Sequence, residues 1–204
     1  MLVKRLGELE RVVFPYQSMK RRQFKLLRGD DHSLWLENVM LSKNYAEYGA
    51  GFSTIFAGKY AKCRVRTAES DPNWAAMVSK KTPRRVLVHQ IDFGPVGPWG
   101  RPLSDEFSEN FVHYFSAPFR GGFSPDFVYV DGRFRVACFL TSVLLSEPGT
   151  RIVIDDYVER AGYHCVEEVL SPAKVNNRQA LFVRPVQVDK KQIEQLILQK
   201  KNSA

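Results

Sequence analysis

Along the chain, the spacing of the apolar positions changes twice. Up to about Lys43 they recur three and four residues apart, as in "DDHSLWLENVMLSK", where Asp31 or Ser33 can cap a helix whose apolar side is Leu34, Leu36, Val39 and Met40. This spacing predicts two or three helices within 1–43. From Asn44 onward, short runs rich in β-branched and aromatic residues alternate with helical runs. They read strand "NYAEYG", helix "FSTIFAGKYA", strand "CRVRTAES", helix "DPNWAAMVSKK", strand "RRVLVHQIDFG" and, after an insert, strand "DFVYVDG", helix "RFRVACFLTSVLLSE", strand "TRIVIDDY". Such alternation predicts βαβ units with right-handed crossovers and a parallel sheet. The closing stretch "YHCVEEVLSPAKVNNRQALFVRPV" offers two β runs joined by Pro- and Asn-rich residues without a helix, which predicts a terminal antiparallel hairpin. The expected fold is therefore α/β, a mostly parallel seven-stranded sheet with helices on both faces and a C-terminal antiparallel hairpin. We expect one domain over 1–204, with N-terminal helices at 1–43, a core at 44–188 and a tail at 189–204 whose last residues fray.

Between residues 94 and 125 the pattern lapses into a Gly-, Pro- and aromatic-rich insert with one short helical piece at about 105–114. Structureless inserts of this length are usually lids or binding loops. With 204 residues and 44% hydrophobic content, the chain can bury one substantial core. The formal charge is +8, and the basic residues collect in "KRRQFKLLR", "KKTPRR" and "DKKQIEQLILQKK". These runs lack aromatic interleaving and any nucleic-acid motif, so they read as solvated faces and no nucleic-acid partner is expected. No run of eighteen apolar residues exists, and charges break up the N-terminus, so we expect neither a membrane span nor a secretory signal, and a cytoplasmic location. Cys63, Cys138 and Cys165 form no CxxC pair and read as buried free thiols.

Chemistry enters at "NYAEYGAGFSTIFAGKY". Gly49 and Gly51 follow the first strand, where a glycine turn lets the backbone approach a ligand at the carboxyl end of a parallel sheet. The next strand ends in Glu69, 18 residues past Gly51, where an acid accepts hydrogen bonds from ribose hydroxyls; Ser70 follows it. A dinucleotide turn would carry a third glycine, but Thr54 stands there. Glu47, just before the turn, would repel a pyrophosphate and favour a cationic sulfonium.

On these residues the sequence resembles the class I S-adenosylmethionine-dependent methyltransferases. Their first motif, (D/E)-x-G-x-G-x-(S/T), is matched by Glu47, Gly49, Gly51 and Ser53, their acidic ribose ligand by Glu69, and the acid near their adenine by Asp92 in "HQIDFG". The resemblance covers roughly 44–186 and implies a Rossmann-like sheet ending in an antiparallel strand. It also implies S-adenosylmethionine at Glu47, Gly49, Gly51, Ser53, Thr54, Glu69, Ser70, Asp92 and Asp131.

"FVYVDG" ends one strand at Asp131, and "IVIDDY" ends the next at Asp155 and Asp156, so three carboxylates should converge on the same rim. Three crowded acids call for a cation, and Mg²⁺ or Mn²⁺ prefers such oxygen ligands. The arrangement is similar to the metal-dependent O-methyltransferases of the catechol and caffeoyl type and to the macrocin-type sugar O-methyltransferases. Without metal, Asp131, Asp155 or His164 would handle the acceptor proton, and Asp131 could instead cap the following helix. A polar rim with Arg101, Arg120, Arg133 and Arg135 suits a sugar or glycan hydroxyl, with a catechol-like acceptor or a non-catalytic binding module as alternatives. Trp99, Phe119 and Phe123 of the insert could stack on an acceptor or form the loop's own small core.

Overall fold

Strand β1 (Asn44–Tyr48) buries all of its residues but the first, because its two faces serve two different apolar layers. Ala46 and Tyr48 point into one layer and Tyr45 into the other, the period-two alternation of a pleated strand. Strand β4 (Phe127–Val130) does the same, with Val128 and Val130 on one side and Phe127 and Tyr129 on the other. The computed structural model describes residues 32–203, so any helix expected upstream of His32 lies outside the described residues.

Seven strands form one sheet in the order β3-β2-β1-β4-β5-β7-β6. β2 (Arg64–Glu69), β3 (Val86–Gln90) and β5 (Arg151–Ile154) complete its parallel part, and β6 (Lys174–Val175) and β7 (Ala180–Val183) form the antiparallel end. The expected mostly parallel sheet with an antiparallel hairpin is thus observed. On one face lie α1 (Ser33–Met40), α2 (Phe52–Phe56), which continues through one π turn at Ala57–Ala61, and α3 (Pro72–Lys81). Leu34, Trp35 and Val39 of α1 pack there with Phe56, Tyr45, Phe127 and Tyr129. α3 starts where the sequence directs: the Asp71 carboxylate accepts from the N–H groups of Asn73 (2.9 Å) and Trp74 (3.0 Å), and Pro72 takes the first helical position.

The opposite face carries α4 (Phe111–Ser116), α5 (Arg135–Leu145) and α6 (Lys190–Lys200). α5 is buried along most of its length, and Phe139 meets Phe182 of β7 edge-on at 4.6 Å between ring centres. Fully burying one such ring contributes about 1.5–3 kcal/mol. α4 lies within the insert, whose aromatics join the main core: Phe111 sits 4.9 Å from Phe93 and 4.5 Å from Phe134. Phe123 is buried and Phe119 packs against the same core, whereas Trp99 stands 90% exposed.

One segment differs from the sequence reading. Residues Ala161–Glu168, expected as the first hairpin strand, form a 3₁₀ helix, because Tyr163, Val166, Val169 and Leu170 reach the core at a spacing of three and four. The hairpin begins later, at Lys174. The C-terminal tail carries α6: Asp189 caps it by accepting from the Gln192 N–H at 3.0 Å, and Ile193 is fully buried. Cys63 and Cys138 are buried free thiols and Cys165 is half-buried. Among the described residues, no helix is long and apolar enough to cross a membrane.

Candidate functional site

β1 connects outward to β2 on one side while β4 lies on its other side, so the strand order reverses between β1 and β4. In an open parallel sheet this is where a crevice opens beyond the carboxyl ends of the strands. A cleft of about 990 Å³ lies there, and Gly49, Gly51, Ser53, Glu69, Ser70 and Asp131 all line it.

The glycine turn is shaped by its neighbours. Gly49 has φ +86°, and its N–H donates to the Ala68 carbonyl at 2.9 Å. At Gly51 an added Cβ would meet nothing nearer than the Trp74 indole nitrogen at 4.0 Å, so the turn leaves room for a ligand to approach the backbone. Glu69 ties this turn to the end of β2: one carboxylate oxygen accepts from the Ala50 N–H (2.9 Å), the other from the N–H groups of Ser70 (2.7 Å) and Asp71 (2.9 Å). Burial raises its pKa and those three hydrogen bonds oppose the rise. The Trp74 indole N–H donates to the Ala50 carbonyl at 2.5 Å, and the Ser70 hydroxyl donates to the Gly100 carbonyl at 2.9 Å. Trp74 and Trp99 therefore flank the acid along the cleft wall. These residues fit an adenosine ligand: an open glycine cradle, an oriented carboxylate and two indoles.

Other expected cofactor residues lie elsewhere. Glu47 is fully buried beneath the turn, where it accepts from the Tyr45 hydroxyl at 2.9 Å and from the hydroxyls of Ser53 and Thr54. Burial pushes its pKa up to about 7 against those hydrogen bonds. Thr54 is equally buried and accepts from the Gly51 N–H at 2.8 Å. Both shape the turn from below and neither reaches the cleft wall. Asp92 is exposed, accepts from the Gly94 N–H at 2.8 Å and stands outside the wall.

At the far end of the cleft the three aspartates do converge, each with a carboxylate oxygen within 4.8 Å of the others. Their negative charge is met by arginines. Arg135 bridges Asp131 (3.0 Å) and Asp156 (3.1 Å), while its remaining donors reach the carbonyls of Asp131, Gly132 and Asp155. Arg178 makes a two-pronged contact with Asp155 (2.7–3.0 Å) and also pairs with Asp156. Gln179 adds a donor to Asp155 at 2.9 Å. Burial would raise the Asp155 pKa, but the Arg178 and Gln179 hydrogen bonds outweigh it and hold the carboxyl below its usual value. The Asp131 carboxyl is raised by burial and by Asp155 and Asp156 against the pull of Arg135; with its side chain 36% open, solvent blunts that rise. A divalent cation would have to displace two guanidiniums from these oxygens, so the donor set as arranged does not fit a resident metal.

His164 stays away from the cleft: its imidazole packs at a tilt against the Tyr157 ring, 4.6 Å between centres, and its Nε2 lies 3.0 Å from the Tyr157 carbonyl. The sequence reading missed His32, Trp35, Tyr129, Arg160 and Arg178, which complete the far end. Arg178 had no local signal, since it lies in an Asn-rich turn that only the hairpin brings to Asp155.

No protein-family profile matches the chain, and no curated protein matches it. Among solved structures, a methyltransferase-like protein from Silicibacter pomeroyi DSS-3 is 31% identical, with a TM-score of 0.76 over 86% of this chain and 95% of that one. An RNA methyltransferase from Salinibacter ruber in complex with S-adenosylhomocysteine is 17% identical, with a TM-score of 0.48 over 79% of this chain and 93% of that one. An S-adenosylmethionine-dependent methyltransferase from Neisseria gonorrhoeae is 14% identical, with a TM-score of 0.45 over 79% and 74%. The weight rests on the first, whose likeness extends over nearly its whole length. The chain belongs to the family of that methyltransferase-like Silicibacter pomeroyi protein, with the α/β Rossmann-like methyltransferase fold.

Proposed function

We propose that the protein methylates a hydroxyl oxygen of a small polar acceptor, with a sugar, free or on a glycan, as the first candidate. One observation carries this reading: a single cleft joins the Gly49–Gly51 turn and Glu69 to a second end formed by Asp131, Arg160 and Arg178 beside Trp35 and Tyr129. When bound, S-adenosylmethionine supplies an electrophilic methyl carbon and a neutral thioether leaving group. Glu69 would accept the ribose hydroxyls, and the bare backbone at Gly51 would allow close approach. At the far end, Asp131 would accept the acceptor's proton as its oxygen bonds to the methyl carbon, because this carboxylate borders the glycine turn and is partly open to the cleft. Arg135 would hold Asp131 at the correct angle, and Trp35 and Tyr129 would exclude water from the reacting atoms.

In this reading the chemistry runs without a divalent ion, since Arg135 and Arg178 already meet the charge of the three aspartates. A sugar suits the mixture of hydrogen-bonding and aromatic surface, with hydroxyls facing Asp131 and Arg160 and a ring face on an indole. The test offers labelled S-adenosylmethionine with monosaccharides, glycosides, catechols, RNA and protein. Label on a carbohydrate hydroxyl supports the proposal, and label on a catechol alone transfers the acceptor to phenols. Tight cofactor binding without label in any acceptor would favour a binding module.

A further inference from the structure

The face of the sheet opposite α3 is covered unevenly. Ala68 of β2 and Ile91 just after β3 lie in the core beneath α4, but Arg64 and Arg66, which share their face by strand alternation, extend beyond that cover. On β3, Leu87 pairs with Arg66 and His89 with Ala68, and Leu87 is 48% exposed. The end of the insert borders this uncovered area. The Arg66 guanidinium lies 4.8 Å from the centre of the Phe123 ring and that of Arg64 lies 5.8 Å from it, while Arg66 also donates to the Arg120 carbonyl. Burial, then Arg120 and Arg66, hold the His89 pKa below its usual value, and the buried His89 Nε2 has no hydrogen-bond partner. Among the described residues, no carboxylate lies within ion-pair distance of Arg64, Arg66, Arg120 or His89.

Elsewhere in the described residues four arginines are paired with carboxylates. Arg135, Arg178, Arg160 and Arg151 all face aspartates. Here three guanidiniums and an unpartnered imidazole share one surface, with an aromatic ring fixing two of the guanidiniums in place. Each of those two directs one N–H to a neutral oxygen, Asn44 Oδ1 for Arg64 and the Arg120 carbonyl for Arg66, leaving further donors of the fork free. Pre-positioned, uncompensated guanidiniums bind oxyanions through paired charge-assisted hydrogen bonds. We propose that Arg64, Arg66, Arg120 and His89 form a binding site for a phosphate group, on the β2–β3 face and separate from the cofactor cleft. Arg64, Arg66, His89 and Arg120 are far apart in sequence and belong to none of the contiguous basic runs, so only the fold assembles them. The inference does not depend on the methyl acceptor.

The test measures binding of inorganic phosphate and, separately, of a labelled single-stranded oligonucleotide at low ionic strength. Both are compared between the unaltered protein and the double variant Arg64→Ala/Arg120→Ala, with the His89 imidazole resonances followed by NMR. Neither substituted residue lines the cofactor cleft, so unchanged S-adenosylhomocysteine affinity certifies the fold. The expected result is saturable binding that shifts the His89 resonances and weakens roughly tenfold or more in the variant, as for lost charge-assisted contacts. Binding of phosphate alone identifies a free or terminal phosphate as the ligand, and binding of the oligonucleotide alone identifies a phosphodiester chain. No binding of either, or equal binding by the variant, overturns the proposal.

Discussion

Gly49 and Gly132 meet backbone to backbone across the switch in strand order: a Cβ on Gly49 would stand 2.8 Å from the Gly132 Cα, and one on Gly132 would stand 2.7 Å from the Gly49 nitrogen. The turn after β1 and the turn after β4 are thus pressed together, which brings Asp131 to the cofactor cradle. The Asp131 N–H donates to the Tyr48 carbonyl at 3.1 Å and fixes the same approach. Gly132→Ala should destabilise the protein by about 1–3 kcal/mol through overpacking and weaken cofactor binding with it. Gly149→Ala is the control, since Gly149 has φ +86° but nothing within 4 Å of its Cβ, so only the conformational term of about 1–2 kcal/mol applies. Thermal unfolding and calorimetry on both variants decide the matter. Cofactor affinity lost equally in the two would contradict the close-contact explanation.

Trp99 combines 90% exposure with φ +62°, a conformation that bulky residues avoid, at the rim of a cleft bounded on the other side by Trp74. A bound adenine would give that indole a partner. Trp99→Ala should weaken S-adenosylhomocysteine binding by about 1 kcal/mol, the scale of an aromatic stack. Glu69→Ala should cost about 1.5–3 kcal/mol, the range of hydrogen bonds to a charged group. Calorimetry measures both. An unchanged affinity in the Glu69 variant would remove the ribose from that carboxylate.

The sheet was legible because β1 through β5 are short runs rich in β-branched and aromatic residues that alternate with helical runs, and the glycine turn because its glycines stand at a strand end. The role of Glu47 was not legible. Its position matches the family motif, yet only the folded turn reveals that Ser53 and Thr54 claim its oxygens from above. The aspartate rim was read correctly as a convergence and incompletely as chemistry, because Arg178 arrives from the β6–β7 turn, some 23 residues after Asp155. Tyr163, Val166, Val169 and Leu170 looked like a strand because the aromatic and β-branched residues there obscured a spacing of three and four.

Glu47 gives stability a pH dependence. Its folded pKa of about 7 lies above the usual 4.5, so the native state binds more protons than the unfolded chain between those values. Its contribution is fully present below about pH 4.5 and is lost as pH rises through 7, a decrease of up to about 3 kcal/mol at 1.36 kcal/mol per unit. Glu47→Gln keeps the shape and an acceptor oxygen while removing the titration. Denaturant unfolding from pH 4.5 to 8 should show a shallower decline for the variant, with a residual slope from Asp131, whose shift has the same sign. Identical slopes for both proteins would mean that Glu47 does not titrate in this window.

The Asp155–Arg178 pair separates an ionic cluster from a metal centre. Asp155 is fully buried, and its oxygens receive two donors from Arg178 and one from Gln179, so its counter-charge is a guanidinium. If that guanidinium is the resident cation, exhaustive chelation should leave both the melting temperature and the methyl-transfer rate unchanged. Arg178→Ala would then strand a buried carboxylate, a change that typically costs 3–5 kcal/mol when one partner of a buried pair is removed. Adding Asp155→Asn to that variant should recover part of the loss, because the orphaned charge disappears while the packing stays. A divalent ion serving the same carboxylates would give the opposite pattern: chelation would depress melting temperature and rate together, and Mg²⁺ or Mn²⁺ would restore them. Unfolding curves with and without chelator, run on the unaltered protein, Arg178→Ala and the double variant, distinguish the two. A melting temperature that falls on chelation and returns with Mg²⁺ would remove the arginine-compensated reading and restore Asp131, Asp155 and Asp156 as metal ligands.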